Sequence, residues 1–187
     1  MNKTKDMKFR KPFAVFFFST LFLGALPIFS SIFGYQFLPT VKWVSQAFWP
    51  SVVFGIATGL IYLWFTPKGL AQNPKANGPL KTVLVVVAAP FFGFFVGITA
   101  FTVGGPLVVS AIIGKDTEAS FMVLAADGGN SKYCTRPIKL EGLPFAMDDL
   151  CRVPQSLRGT LQPGTTIRVD GRGTSFGVFP SQVTVIE

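Results

Sequence analysis

Between Lys11 and Lys115 the chain carries only four charged side chains, and this scarcity of charge restricts its fold more than any other feature. All four are lysines, and they separate long apolar runs. About 20 apolar residues suffice for a helix to cross a bilayer core of roughly 30 Å. A mean hydropathy of +0.48 with 14% charged residues is also too apolar for a soluble domain. The sequence therefore predicts a membrane protein.

The first two predicted transmembrane helices cover about residues 13–33 and 47–65. The first follows the basic segment 1–12, and its apolar run is longer than that of a cleaved signal peptide. Aromatic rings favour the two headgroup regions of a bilayer, and such rings lie near both ends of the second run. They are Trp43, Trp49, Tyr62 and Trp64.

The third apolar run, residues 82–114, is too long for one untilted span and too short for two. Because the Gly-Gly-Pro sequence that ends at Pro106 favours a break, we expect the third span to be about residues 82–103. Residues 107–113 are then predicted to form a short apolar helix or strand at the outer surface, leading into the C-terminal domain. A single kinked helix through Pro106 is the alternative. The predicted membrane domain is residues 13–113.

The distribution of lysine and arginine predicts the orientation of the spans. The N-terminal segment holds five of these residues and the second loop, residues 66–81, holds three, whereas the first loop holds Lys42 alone. Since basic loops stay in the cytoplasm, the N-terminus is predicted to lie inside and the C-terminal domain outside. Residues 114–187 carry eight basic and eight acidic side chains and are therefore neutral. We expect a multi-pass bacterial inner-membrane protein with a periplasmic C-terminal domain.

Residues 114–187 have the pattern of a small antiparallel β-domain, a barrel or sandwich of the OB or SH3-like kind. Turn formers such as Pro163-Gly164 and the four residues 170–173 separate short strands. Six strands are predicted, at residues 120–126, 133–140, 157–161, 165–169, 175–179 and 183–186. Cys134 and Cys151 predict one disulfide, worth roughly 3 kcal/mol in the chain-entropy model, which would stabilise a core of marginal size.

The composition disfavours several classes of function. The chain has no histidine, which excludes a Ser-His-Asp arrangement and a His-ligated metal. The basic excess lies entirely in the membrane half, so it reflects orientation rather than nucleic-acid binding. The predicted spans contain no Asp, Glu, Lys or Arg, which argues against an autonomous channel or transporter. We expect no catalytic residue, cofactor or metal site.

Small residues recur four positions apart in each predicted span, where they allow helix backbones to approach closely. They predict contacts among this chain's own three helices, or alternatively with a partner or a second copy. The pairs are Thr20 with Gly24, Gly55 with Gly59, and Gly93 with Gly97.

A long connection between strands, residues 140–154, is a candidate recognition loop because the predicted disulfide tethers it to a rigid scaffold. Its apolar residues could equally fold back on the core. The candidate partner-binding residues are Phe145, Met147, Asp148, Asp149 and Arg152. Adjacent acids on a strand point to opposite faces, so the two aspartates are not predicted to form a catalytic dyad.

These features predict a non-catalytic, membrane-anchored binding or accessory protein. Its helices contact the lipid bilayer, and its outer domain meets an extracytoplasmic or membrane protein partner. A homo-oligomer is also compatible. The alternative is a component of a transport or envelope-processing system that binds a small ligand through carboxylates and arginines of the outer domain. An immunity or exclusion protein is a narrower variant without residue-level support.

Overall fold

Three long apolar helical segments lie within the first 113 residues. The structure is a computed structural model that describes residues 3–70, 78–126, 134, 137–144, 147–151 and 153–186, with the backbone alone for residues 3–13 and 79. The helices are α1 (Lys3–Ile32), α2 (Val41–Leu70), α3 (Pro79–Thr99) and α4 (Gly105–Ile113), with a π-helical turn (Ala100–Gly104) joining the last two. Three segments are long and apolar enough to cross a membrane, namely Ala14–Ile32, Val41–Leu70 and Leu80–Ile113.

The third apolar run is helical from Pro79 to Ile113, so the expected break in the helix before Pro106 is wrong. Residues 107–113, expected as a short apolar helix or strand, lie in α4. Pro106 lies in the first turn of α4. Because proline has no N–H, residue 106 donates no backbone hydrogen bond to the carbonyl of Thr102, four residues earlier. The π-helical turn accommodates the change between the two helical segments.

Within the described residues, six antiparallel strands form a nearly closed sheet, one from the loop between α1 and α2 and five from the chain after α4. The strands are β1 (Leu38–Pro39), β2 (Lys115–Ala125), β3 (Ile138–Leu140), β4 (Asp149–Leu150), β5 (Thr166–Thr174) and β6 (Gly177–Ile186), and a short helix, α5 (Gln155–Arg158), precedes β5. Their order in the sheet is β1-β6-β5-β2-β3-β4. Inward-facing side chains of all six strands form one core, including Leu38, Phe121, Ile138, Leu150, Ile167 and Val178. The predicted antiparallel β-domain with a barrel-like sheet is therefore confirmed at this level.

Two predictions for the β-domain are wrong, one for a strand and one for a turn. The predicted strand at residues 157–161 is replaced by α5 and the turn that follows it. The predicted turn at residues 170–173 lies inside β5, and the chain reverses at residues 175–176 instead. The glycines there serve close approach rather than reversal, because a side chain at Gly171 would collide with the carbonyl of Phe179 on β6. The separate strands expected at 175–179 and 183–186 are consequently one strand.

Contacts divide the chain into two compact units, residues 1–25 with 49–101 and residues 26–48 with 102–187. The described residues of the first unit are helical apart from Gly78. The second contains the whole sheet, because β1 lies in the loop between α1 and α2 and pairs with β6. Leu38 of β1 is fully buried in the sheet core. A strand from the N-terminal half therefore completes the β-domain.

Candidate interaction site

Cys134 and Cys151 form the predicted disulfide, with their Cα atoms 5.4 Å apart. Cys151 follows β4 directly, and Cys134 precedes β3, so the bond joins the two flanks of a pair of strands that is itself only two residues long. Cys134 is buried, with 6% of its surface exposed. We call residues 140–154 the tethered loop, because this bond and the contacts below hold its described residues 148–151.

The side chain of Gln36 binds the edge of β4 as a neighbouring strand would. Its Nε2 donates to the carbonyl of Asp149, and its Oε1 accepts from the backbone N–H of Cys151 at 2.9 Å. A primary amide carries one donor and one acceptor side in the arrangement of a peptide group, so it satisfies both edge groups at once. Gln36 lies just before β1, and its amide therefore bridges the two ends of the sheet, β1 and β4.

Asp148 and Asp149 have different surroundings. Asp148 Oδ2 lies 3.3 Å from Lys139 Nζ, across the β3–β4 pair. Asp149 Oδ1 is buried and has no hydrogen-bond partner. Burial raises the pKa of the Asp149 carboxyl, the negative charge of Asp148 raises it further, and Lys139 opposes the shift. The protonated form of Asp149 is thus favoured relative to an exposed aspartate.

Met147 packs inward rather than facing solvent. It lies against a small buried cluster formed by Phe37, Val103 and Leu107, beside the half-buried Phe179. The rings of Phe37 and Phe179 are 5.1 Å apart. Met147 is partly buried against this cluster, and its assignment to partner binding stays a prediction. Of the other candidate residues, Phe145 and Arg152 lie outside the described residues.

The first turn of α2 holds the β5–β6 turn. Thr40 caps α2, since its Oγ1 accepts from the backbone N–H of Trp43 at 3.3 Å, and the same oxygen donates to the carbonyl of Ser175 at 2.9 Å. The backbone N–H of Thr40 also donates to the carbonyl of Phe176 at 2.9 Å. The ring of Trp43 stands edge-on to that of Phe176, 4.7 Å away. Gly142 of the tethered loop adopts φ +78° and leaves room for Val41, which a side chain there would meet at 2.9 Å.

All five small-residue glycines lie at contacts between helices of this chain. Gly55 and Gly59 of α2 face Gly97 and Gly93 of α3, and an added methyl at either α3 glycine would lie 3.0 Å from the Cα of its counterpart. A methyl at Gly24 would lie 3.0 Å from the carbonyl of Val96. Thr20 Oγ1 lies 3.3 Å from the hydroxyl of Tyr62, so the sixth residue also faces another helix.

An open depression of about 400 Å³ lies on the outer face of β2, β5 and β6. Its acidic lining could attract a cation, although Glu118 already pairs with Arg168 at 3.2 Å. The lining residues are Asp116, Thr117, Glu118, Asp170, Gly171 and Ser181. Within the described residues, no three cysteine or carboxylate side chains are placed to hold a metal ion.

The residues that brace the tethered loop from outside it, Gln36 and Phe37, were not predicted from the sequence. Gln36 and Phe37 lie more than 100 positions from their partners, and no local spacing signals such a contact. Trp43 carried a signal as an interfacial aromatic, but not as a donor to the third helix, where its Nε1 donates to the carbonyl of Thr102 at 2.9 Å.

Comparisons with known proteins add no relative, since no family model, no curated protein and no solved structure matches the chain.

Proposed function

We propose that the chain is a multi-pass bacterial inner-membrane protein with a cytoplasmic N-terminus and a periplasmic β-domain. The location of exposed apolar side chains supports membrane insertion, because such residues concentrate on the three long helices. Those more than half exposed include Phe18, Phe22, Trp49, Leu60, Phe91 and Phe95. Among the described residues 115–186, by contrast, the large exposed apolar side chains are Met122 and Leu124.

The pairing of β1 with β6 supports the predicted topology. β1 lies between α1 and α2, and β6 follows the third apolar segment. Two crossings, by α2 and by the segment Leu80–Ile113, would return the chain to the side of the first loop. Charge places that loop outside, and the disulfide agrees with an oxidising compartment.

The barrel's function, in this proposal, is to bind a partner without catalysis, as an accessory protein to a membrane or periplasmic complex. The observation that carries it is the bracing of the tethered loop. A disulfide, the Lys139–Asp148 ion pair and the Gln36 amide fix this loop on the barrel. Loops held on a rigid scaffold are common sites of recognition, since their geometry is set before the partner arrives.

Copurification in mild detergent tests this function. We expect one stoichiometric partner to remain with the wild-type protein and to be lost from Gln36→Leu, which releases the loop edge. Gln162→Leu is the matched control, because the Gln162 side chain is exposed and should not affect binding. A partner retained equally by both variants would contradict a role for the tethered loop.

Topology has its own test. A reporter active only outside the cytoplasm, fused after Glu187, should be active, and the same reporter fused in the second loop should be inactive. Activity of a reporter that works only in the cytoplasm, fused at the C-terminus, would contradict both the number of spans and the compartment proposed for the disulfide.

A second candidate function is small-ligand binding within a transport or envelope-processing system. The acidic depression on β2, β5 and β6 favours it, because Asp116 and Asp170 line the same open site. The test is binding of a small ligand by the isolated chain. Binding that survives Asp148→Asn but is lost with Asp170→Asn would support this candidate over the partner-binding proposal.

A further inference from the structure

Strand β6 has a long edge that no described strand covers. It runs from Gly177 to Ile186, but β1 pairs only with Gly177 and Val178. From Pro180 onward its pairing within the described chain is with β5 alone. Alternate backbone N–H and C=O groups of an edge strand point away from its neighbour, so this stretch offers unpaired donors and acceptors.

The inward side chains of this stretch are only partly buried. Ile167 and Val169 of β5 are fully buried, whereas their cross-strand neighbours Val185 and Val183 are half-buried although they pack on the same core. At these positions β5 has a strand on both sides, whereas the described strands flank β6 on the β5 side alone, which accounts for the difference in burial. A further strand beside β6 would complete the cover over these two valines.

The edge of β6 also lacks the charge that usually protects such an edge. β2 has a comparable open stretch before its pairing with β3 begins at Val123, and it carries Lys115, Asp116 and Glu118 there. Charged side chains on an edge oppose the addition of another strand. Residues 182–186 of β6, Gln-Val-Thr-Val-Ile, have no charge and are rich in β-branched side chains. Pro180 and the bulge beside it interrupt the edge only before this stretch.

We propose that residues 182–186 of β6 bind an extended segment of a partner protein by strand addition. This inference rests on the proposed partner-binding function. It assigns that function a second binding surface, the edge of β6, and a mode of binding, strand addition. The pairing of β1 with β6 is the intramolecular precedent, since there a segment from elsewhere in the chain adds to the same edge in antiparallel direction. The segment that fits is uncharged, with apolar side chains at alternate positions over Val183 and Val185.

The test uses the full chain in detergent micelles and a synthetic strand peptide of alternating valine and threonine flanked by lysines. Hydrogen–deuterium exchange of residues 182–186 should slow about tenfold when the peptide is added. Thr184→Lys, which places a charge on the edge, should abolish the slowing. Thr166→Lys is the matched control, because Thr166 lies on the same outward face of β5, one strand in from the edge, and should keep it.

Several outcomes would overturn the proposal. They are no slowing at residues 182–186, equal slowing in Thr184→Lys, and slowing at the β2 edge instead. Protection that rises with protein concentration without peptide would assign the edge to a second copy and overturn the partner assignment. If a copurified partner is retained by Thr184→Lys, strand addition fails while the proposed function stands. If no partner copurifies but the peptide protects β6, the proposed function fails and strand addition stands.

Discussion

Pro106 has no backbone N–H to donate within the third apolar segment, Leu80–Ile113. The indole N–H of Trp43 supplies a donor there. In a continuous helix the N–H of residue 106 would donate to the carbonyl of Thr102, four positions earlier, but proline has no N–H. The indole of Trp43 donates to this carbonyl at 2.9 Å while its ring contacts Phe176. The side chain of Trp43 therefore connects α2 with the third apolar segment and with the β5–β6 turn.

Trp43→Phe should lower the free energy of unfolding by about 1–3 kcal/mol, because it removes a hydrogen bond to a buried carbonyl and keeps the aromatic contact. Pro106→Ala restores a backbone donor at the position that the helix expects. We therefore expect the double variant to lose less stability than Trp43→Phe alone. Denaturant titration in mixed micelles measures the four stabilities, and strictly additive losses would contradict this role of the indole.

The raised pKa of Asp149 predicts that the stability of the β-domain depends on pH. Folding raises the pKa of this carboxyl, mainly through burial, so the native state holds the proton more tightly than the unfolded chain does. Its contribution to stability is full below the ordinary aspartate pKa and is lost as pH rises through the raised native value. Asp149→Asn should therefore flatten the pH dependence of the urea midpoint between acid and neutral pH. Asp116→Asn, on an exposed strand position, is the control that should retain it.

At the scale of elements, the helices pack through glycines that face one another. Antiparallel α2 and α3 bring Gly59 opposite Gly93 and Gly55 opposite Gly97. In the bilayer that we propose, lipid would offer no hydrophobic driving force for helix association, and close backbone contact would supply dispersion energy instead. These six small residues are thereby engaged within the chain, which leaves the barrel edge and the tethered loop as the surfaces we assign to partners.

Alanine substitutions at two glycines of α2 should have opposite effects. A methyl at Gly59 would lie 2.7 Å from the carbonyl of Pro90, whereas a methyl at Gly69 would meet nothing within 4 Å. Gly59→Ala should therefore destabilise the helices by about 1–3 kcal/mol through overpacking. Gly69→Ala should be neutral or stabilising by up to about 1 kcal/mol, because alanine favours helix. Resistance to denaturing detergent compares the two, and equal resistance would contradict the packing described.

At the scale of the whole molecule, the β-domain is built from segments far apart in sequence. The second compact unit joins residues 26–48 to residues 102–187. Leu38 contributes a fully buried side chain to the sheet core, and Gln36 bridges to β4. Deleting the loop between the first two helices therefore removes part of the barrel as well as a connection.

Residues 114–187 expressed alone, with the disulfide formed, should not unfold cooperatively. Losing Leu38 from the core costs about 2–5 kcal/mol, a large share of the stability of a domain this small. Fusing residues 35–40 to the fragment through a flexible glycine-serine linker should restore a cooperative urea transition. The same fusion with Leu38→Asp is the control and should not restore it. A fragment as stable without the added strand as with it would show that β1 is dispensable.

Local signals in the sequence were enough for the architecture. The apolar runs, their flanking lysines and aromatics predicted three long helices, because helix length and hydropathy depend on neighbouring residues alone. Alternation and turn formers predicted a small antiparallel domain, and two cysteines predicted its one bridge. Local signals misassigned residues 170–173, because glycine at a turn and glycine at a close strand contact look alike in sequence.

Only the tertiary structure decided what joins these parts. The strand at Leu38–Pro39 is two residues long and includes a proline, so no periodicity could reveal it. The hydrogen bonds of Gln36 to β4 and of Trp43 to Thr102 connect residues 59 to 115 positions apart. Such contacts depend on which surfaces meet after the elements have formed, and a single sequence specifies them only through the energy of the whole fold.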